Sequence, residues 1–235
     1  MPIGQTYLDL LPIELFDEIF VYLTCNDILK SFYGINNHIN QVVLQYPMYL
    51  VDLTSNNLTK KEFDLIYSKI DSNKIIKLKM GHDRYNVSNR FLLKNNAQQT
   101  LTNLRSLWIN NNCQKEAFNL RLLDFNNLVS FRFDSISHLS SVDSNCLFEH
   151  LQYLVGCSSA HFRHMFKNIP SHLIFLHMFF NSFDDLHCFI DPNANQLKSL
   201  GIGFSSIYVD ATRVISLFEN YQWNNLIQLN LNLPS

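Results

Sequence analysis

The sequence predicts an α/β protein in which a short helical segment precedes a solenoid of strand-and-helix repeats. An apolar pattern that suits a short strand recurs along the chain at intervals of 22 to 29 residues. The first 46 residues instead place apolar side chains at helical spacing. With 47% hydrophobic and 16% charged residues, the chain has enough apolar side chains for a continuous core. Only 6 Gly and 6 Pro are present, which argues against a loop-rich β-sandwich or a glycine-dependent dinucleotide fold.

Three short helices are predicted in the first segment. The first is expected to begin at Pro12, because proline has no N–H and the first N–H groups of a helix have no partner anyway. A second helix is expected after Asn26 as its N-cap, and a third after Asn36, with Pro47 ending it. The apolar face of the first helix consists of Leu15, Ile19 and Leu23, widened by Phe16 and Phe20.

One motif runs through all three predicted helices. It reads Leu11-Pro12-x-Glu14-Leu15, then Ile19, Leu23, Asp27-Ile28, Phe32, Ile35-Asn36 and Ile39-Asn40. This motif resembles the F-box. The Leu-Pro-x-Glu opening and the Asp-Ile pair are its specific part, and Ile39 departs from the family at a position where many members carry an aromatic residue.

The resemblance implies an F-box at residues 1–46 and a protein partner. F-boxes bind a small Skp-type adaptor, which connects them to a cullin in a ubiquitin ligase. The alternative is that the three helices only cap the repeats, since a segment this small needs either a docked neighbour or a partner. The adaptor-binding residues that the resemblance implies are Leu11, Pro12, Ile19, Leu23, Ile28 and Leu29.

The recurring pattern is apolar-x-x-apolar-x-apolar. Alternate residues of a strand point to one side, so the pattern predicts one strand in each repeat. It is similar to leucine-rich repeats, which implies parallel strands on a concave face and helices or 3-10 turns on a convex face. In the copy that starts at Leu151, Gly156 takes the third apolar position. The seven copies start at Ile75, Leu104, Leu128, Leu151, Leu173, Leu197 and Leu226.

The resemblance implies a leucine-rich-repeat domain at residues 47–235. No capping helix follows the last strand, so a fragment or an incomplete product is expected. Helical or 3-10 segments are predicted around Phe162 to Phe166, Phe183 to Ile190 and Val214 to Phe218. Strands are predicted near residues 49–53, 77–81, 106–110, 130–134, 153–157, 175–179, 199–203 and 228–232.

Side chains between the apolar positions are expected to point outward from the concave face. The central outward column consists of Lys79, Trp108, Arg132, Val155, His177, Gly201 and Asn230. Aromatic residues and arginine are enriched in interface hot spots. The alternative is that another part of the chain covers these positions. The residues predicted to bind a protein substrate are Trp108, Arg132, Tyr153, Phe175, His177 and Phe179.

No catalytic constellation is predicted. The sequence contains no complete glycine-rich phosphate loop, no Gly-x-Ser-x-Gly elbow and no His-Glu-x-x-His helix. Cys157, His161 and His164 have metal-ligand spacing, but a zinc site would also need His187 or Cys188. Surface histidines beside a buried thiol are the favoured interpretation. Neither a metal nor a cofactor is therefore expected, and the chain is not expected to be an enzyme.

Charge and hydropathy argue against two classes of partner. The net charge of −2 gives no basic excess for a phosphate backbone, so nucleic acid is not expected. No stretch reaches the ~18 apolar residues of a membrane helix. The 5 scattered cysteines indicate reduced thiols and a cytoplasmic or nuclear location. The expected function is that of a substrate-receptor subunit of an SCF-type (Skp–cullin–F-box) ubiquitin ligase with an unknown protein substrate. The alternative is a leucine-rich-repeat binding scaffold.

Overall fold

One parallel sheet organises the chain. The computed structural model describes residues 7–47, 49–54, 59–81, 90–91, 101–110, 126–134, 149–157, 170–180, 182–204 and 211–232. Within these ranges, eight strands are hydrogen-bonded in sequence order and all neighbouring pairs are parallel. The predicted α/β class with parallel strands is therefore confirmed. The strands are β1 (Tyr49–Asp52), β2 (Ile75–Gly81), β3 (Ser106–Asn110), β4 (Ser130–Phe133), β5 (Tyr153–Cys157), β6 (Phe175–Phe180), β7 (Ser199–Phe204) and β8 (Gln228–Asn232).

Three helices precede the sheet and three more follow strands in the described ranges. The segments predicted to be helical near Leu186 and Leu217 are helices, whereas the one at Phe162 to Phe166 lies outside the described residues. The helices are α1 (Ile13–Phe20), α2 (Cys25–Phe32), α3 (Asn37–Gln45), α4 (Lys60–Lys69), α5 (Phe183–Ile190) and α6 (Ala211–Asn220).

The start of α2 differs from its prediction. Thr24, not Asn26, is the N-cap: its hydroxyl accepts from the Asp27 N–H at 3.2 Å, and the Asp27 carboxylate accepts from the Thr24 N–H at 3.2 Å. Such a reciprocal capping box satisfies two helix-end donors that Asn26 alone would not. Asn26 instead donates to the Asp52 carbonyl at 3.2 Å, which ties α2 to β1. Asn36 caps α3, accepting from the Ile39 N–H at 2.8 Å.

The helical segment and the sheet share one core. The buried apolar cluster runs without a break from Phe16 in α1 to Leu217 in α6. Helix α2 contacts both β1 and α4, and Lys30 pairs with Glu62 at 2.5 Å across the α2–α4 contact. The hydrogen bond from Lys30, together with the bonds from Thr59, lowers the pKa of Glu62 to about 2. The three N-terminal helices are therefore docked on the first strand rather than held on a free linker.

A ladder of side-chain amides links successive strands at the edge where the strands begin. The donor is in each case the residue just before the first apolar position of the pattern, and the acceptor is a backbone carbonyl of the preceding repeat. Such bonds satisfy carbonyls that a parallel sheet leaves open between repeats. The donor–acceptor pairs are Asn103 to Asn73 at 2.8 Å, Asn127 to Thr102 at 2.8 Å, Asn225 to Asn195 at 2.6 Å, and Gln196 to Ser171.

Candidate interaction surfaces

The N-terminal helices expose an apolar surface on α1. Phe16 and Phe20 turn into the core, where their rings lie 5.8 Å apart and both contact Phe32. Two phenyl rings bury more area than two aliphatic side chains, so this stripe takes the core side of the helix. Leu15 and Ile19, predicted as part of the core face, are each 40% exposed. They lie four residues apart and therefore share one side of α1.

The six residues predicted to bind an adaptor divide into an exposed, a half-buried and a buried pair. Pro12 and Ile19 are exposed, and Leu11 and Leu23 are half-buried against the core. Ile28 and Leu29 are 1% and 2% exposed, because α2 turns its apolar face towards β1 and α4. In the structure these two side chains hold the helices together, and their contact with a partner stays a prediction. Exposed apolar residues that the prediction missed are Leu10, Ile13, Leu15, Val21 and Tyr22.

The sequence carries a signal for these missed residues. The apolar side chains of α1 cover a wider arc than one core-facing stripe needs, while its three carboxylates share the remaining side. When the apolar side of a helix is this wide and only part of it is buried, the remainder is exposed. Tyr22, at 88% exposure just beyond α1, is the extreme case. A second apolar stripe on a short terminal helix thus indicates a surface for a partner.

The face of the sheet opposite the buried core carries the predicted outward column, and we refer to it as the concave face because the repeat resemblance implies that shape. Strand register places Lys79 beside Trp108, Trp108 beside Arg132, and so on across the sheet. Tyr153 and Phe175 lie in the neighbouring row nearer the strand starts, and Phe179 lies in the row nearer the strand ends. The complete central row is Asp52, Lys79, Trp108, Arg132, Val155, His177, Gly201 and Asn230.

Trp108 is enclosed by its neighbours in the row. The Lys79 ammonium lies 4.8 Å from the centre of its ring, and the Arg132 guanidinium lies 4.3 Å from the centre. The indole N–H points at the Asp134 carboxylate at 3.4 Å. Asp134 also lies 3.6 Å from Arg132 Nε, and Asp52 pairs with Lys79 at 3.3 Å. Trp108 therefore serves as a platform that orients two cations, rather than as a free aromatic anchor.

A second, aromatic group follows on β5 and β6. The ring of Phe175 stacks on the ring of His177 at 4.1 Å, and Tyr153 packs on the other side with its ring centre 6.0 Å from that of Phe175. Tyr153 and Phe179 are about two-fifths exposed. The concave face thus changes from charged side chains on β2 to β4 to aromatic ones on β5 and β6.

A hydrogen-bond chain fixes the state of His177. Its Nε2 lies 2.9 Å from the Ser199 hydroxyl, and that hydroxyl donates to the Gln228 side-chain oxygen at 3.2 Å. The Ser199 hydroxyl donates its only proton to Gln228, so it can only accept from His177. His177 therefore donates from Nε2, and its Nδ1 has no proton and is an acceptor. Burial lowers the pKa of His177 from its ordinary value. The ring is therefore neutral in the folded protein at neutral pH.

This lowered pKa makes stability depend on pH. The unfolded chain binds a proton at His177 near pH 6.5, whereas the folded chain does so only at lower pH. The free energy of unfolding should therefore fall as pH drops below 6.5 and level off below the folded pKa. Chemical denaturation from pH 7 to pH 5 measures this, with the His177→Gln variant as control. Equal pH slopes for wild type and variant would contradict the assignment.

A groove of about 390 Å³ lies on the concave face between the central row and the row nearer the strand ends. That volume falls within the roughly 300–1,000 Å³ of ordinary ligand pockets. Glycines form part of its floor: a Cβ on Gly201 would lie 2.7 Å from the His177 ring, and one on Gly203 would lie 2.4 Å from the Phe179 ring. The groove runs from Arg132 and Asp134 on the β4 side to Asn230 and Asn232 on β8.

Ten of the thirteen groove residues were absent from the predicted binding set, among them Gly201, Gly203, Asn230 and Asn232. Glycine at alternate positions of a strand whose neighbour carries His and Phe is the signal that could have found them. Residues without a side chain on β7 leave room for the rings of His177 and Phe179 on β6. Without Gly201 and Gly203, the rings of His177 and Phe179 could not lie flat over β7.

Within the described ranges, no group of three or more His, Cys, Asp and Glu side chains could hold a metal ion. The zinc candidates His161 and His164 lie outside the described residues. None of the helices that the structure describes combines the length and apolar character of a transmembrane segment. No family model, curated protein or solved structure matches the chain.

Proposed function

We propose that the chain is the substrate-receptor subunit of an SCF-type ubiquitin ligase. In this proposal α1 to α3 are an F-box that binds a Skp-type adaptor, and the strands belong to leucine-rich repeats that hold the substrate. The subunit supplies no acid, base or nucleophile. It raises the concentration of substrate lysines near a ubiquitin-charged enzyme through a cullin.

The exposed apolar side of α1 carries the proposal. Pro12, Leu15 and Ile19 are solvent-accessible within the motif that resembles the F-box, on helices already docked to the sheet. Helices that served only to cap the array would need no second apolar stripe. The concave groove opens on a different part of the molecule, which supports one surface for the ligase and one for the substrate.

A plain binding scaffold is the second candidate. The unbroken core between α2, α4 and β1 favours it, because helices packed in this way already protect the first strand of the sheet. Under this alternative the α1 surface has no dedicated partner. The two candidates differ in whether a Skp-type adaptor binds.

Co-purification with a Skp-type adaptor separates them. Wild type should capture the adaptor in equal amount, and Ile19→Asp should reduce capture at least tenfold, because a charge would be buried at the interface. Ile215→Asp is the matched control, since Ile215 is an exposed isoleucine on the distant α6. Absence of capture by folded wild type, or equal capture by both variants, would overturn the ligase role.

A further inference from the structure

The concave groove has chemistry that selects among protein partners. Its charged end is built around Arg132, whose guanidinium lies over the ring of Trp108 and whose Nε faces Asp134. A guanidinium held in one plane presents its remaining N–H groups as a ready fork for a carboxylate. The Arg132 side chain is 51% exposed, so this fork is open to a partner.

The other part of the groove suits an apolar side chain. Gly201 and Gly203 have no side chains, so the rings of His177 and Phe179 lie over β7 and line this part of the groove. The His177 ring is neutral, so this part of the groove carries no charge. A bulky aliphatic group would pack on these two rings without leaving an ionised group unpaired.

The distance between the two parts sets the spacing in the partner. Arg132 is on β4 and Gly201 is on β7, three strand spacings away. Neighbouring strands lie about 4.8 Å apart, which gives about 14 Å, and an extended chain advances about 3.3 Å per residue. A chain laid across the strands would therefore bridge the two parts with about four residues.

We propose that the groove binds an extended segment of a partner protein in which an acidic residue and a bulky aliphatic residue lie about four positions apart. The carboxylate binds Arg132, and the aliphatic side chain packs on the rings of His177 and Phe179, which lie over Gly201 and Gly203. This inference rests on the proposed function, because it names the class of substrate that the receptor would recruit.

A peptide array tests the proposal on the full chain. Ten-residue peptides of glycine and serine, blocked at both ends, carry one Glu and one Leu at every spacing from one to six in both orders. Retention should peak at spacings of three to five and fall at least tenfold when Glu is replaced by Gln or Leu by Ser. Retention without a preferred spacing, or no retention above the glycine–serine background, would overturn the proposal.

Charge reversal on the protein gives the second arm. Arg132→Gln should lose the preference for Glu, and Arg132→Glu should shift the preference to peptides with Lys in its place. Lys77→Gln is the matched control, because Lys77 is a cation of the same face outside the groove. Unchanged Glu preference in Arg132→Gln would overturn the proposal. Adaptor capture is measured on the same preparations: its loss with intact peptide selection overturns the ligase role, and intact capture without selection overturns only this inference.

Discussion

Asn193→Ala should lower the free energy of unfolding by about 3–5 kcal/mol, because it leaves several buried polar groups without a hydrogen-bond partner. Asn193 is fully buried after the end of α5. Its amide nitrogen donates to the Pro170 carbonyl at 2.7 Å and to the Phe189 carbonyl at 2.9 Å. Its oxygen accepts from the Leu173 N–H and from the Gln196 side chain, each at 2.9 Å. One side chain thus joins the end of a helix to the segment that leads into β6.

Two variants test this assignment. Asn193→Asp keeps the acceptor but loses both donors, so it should also be destabilised, and it should regain stability at low pH, where a protonated carboxyl donates one bond. Asn195→Ala is the control, since Asn195 is exposed in the same loop and contributes its backbone carbonyl to the amide ladder. Urea unfolding followed by circular dichroism and by tryptophan fluorescence measures the three variants. A loss below about 1 kcal/mol for Asn193→Ala would show that water replaces the missing bonds.

The strands could be predicted because their signal is local and periodic. In β3, Leu107 and Ile109 are buried on one side while Trp108 lies on the other, as alternation requires. The same alternation across neighbouring strands fixes the central row, including Trp108 beside Arg132. Helix α5 could be predicted for the same reason, from Leu186, Phe189 and Ile190 at helical spacing.

The misplaced features depend on which of two local options the tertiary structure selects. Thr24 and Asn26 are both competent N-caps, and Asp27 decides between them by closing the capping box. On α1 both the Leu15–Ile19 stripe and the Phe16–Phe20 stripe are apolar, and the aromatic stripe wins because it packs against Phe32. The periodicity of apolar residues does not show which N-cap or which stripe the folded protein uses.

The candidate site shows the same division. The sequence places Trp108 on the outward face but does not reveal that cations cover its ring, because that contact depends on the side-chain conformations of two other strands. The groove floor is missed for a related reason. Gly201 and Gly203 have no side chain to read as a binding group, and their role follows only from the rings of His177 and Phe179 beside them.

Gly156 is the position where the repeat pattern and the structure make opposite predictions. Every other described copy of the pattern has a bulky apolar residue in this third slot, so Gly156→Leu restores the pattern and would be expected to stabilise the chain. In the structure, the ring of Phe133 on the neighbouring strand occupies that space. A Cβ on Gly156 would lie 2.2 Å from the ring, far inside contact distance.

Gly156→Leu should therefore destabilise the chain, by about 3 kcal/mol or more, because Phe133 is fully buried and cannot move out of the way. Phe133→Ala should also destabilise, by about 3–5 kcal/mol, since it leaves a cavity over the glycine. The double variant exchanges the large and small residues between the two strands. It should be more stable than either single variant, because the leucine then fills the space that the ring has left.

A double-mutant cycle measures this exchange as a coupling energy. Coupling between residues in direct contact is about 0.5–3 kcal/mol, and the upper part of that range is expected here. Ile109→Val, in the same core row one strand before Phe133, controls for a general weakening of the row, and its combination with Gly156→Leu should be additive. If Gly156→Leu stabilises the chain, or if its effect adds to that of Phe133→Ala, Phe133 does not occupy the slot. A large coupling energy would mean that neighbouring strands share one packing space. The side chain that Gly156 lacks would then be replaced in the core by the ring of Phe133 on the strand beside it.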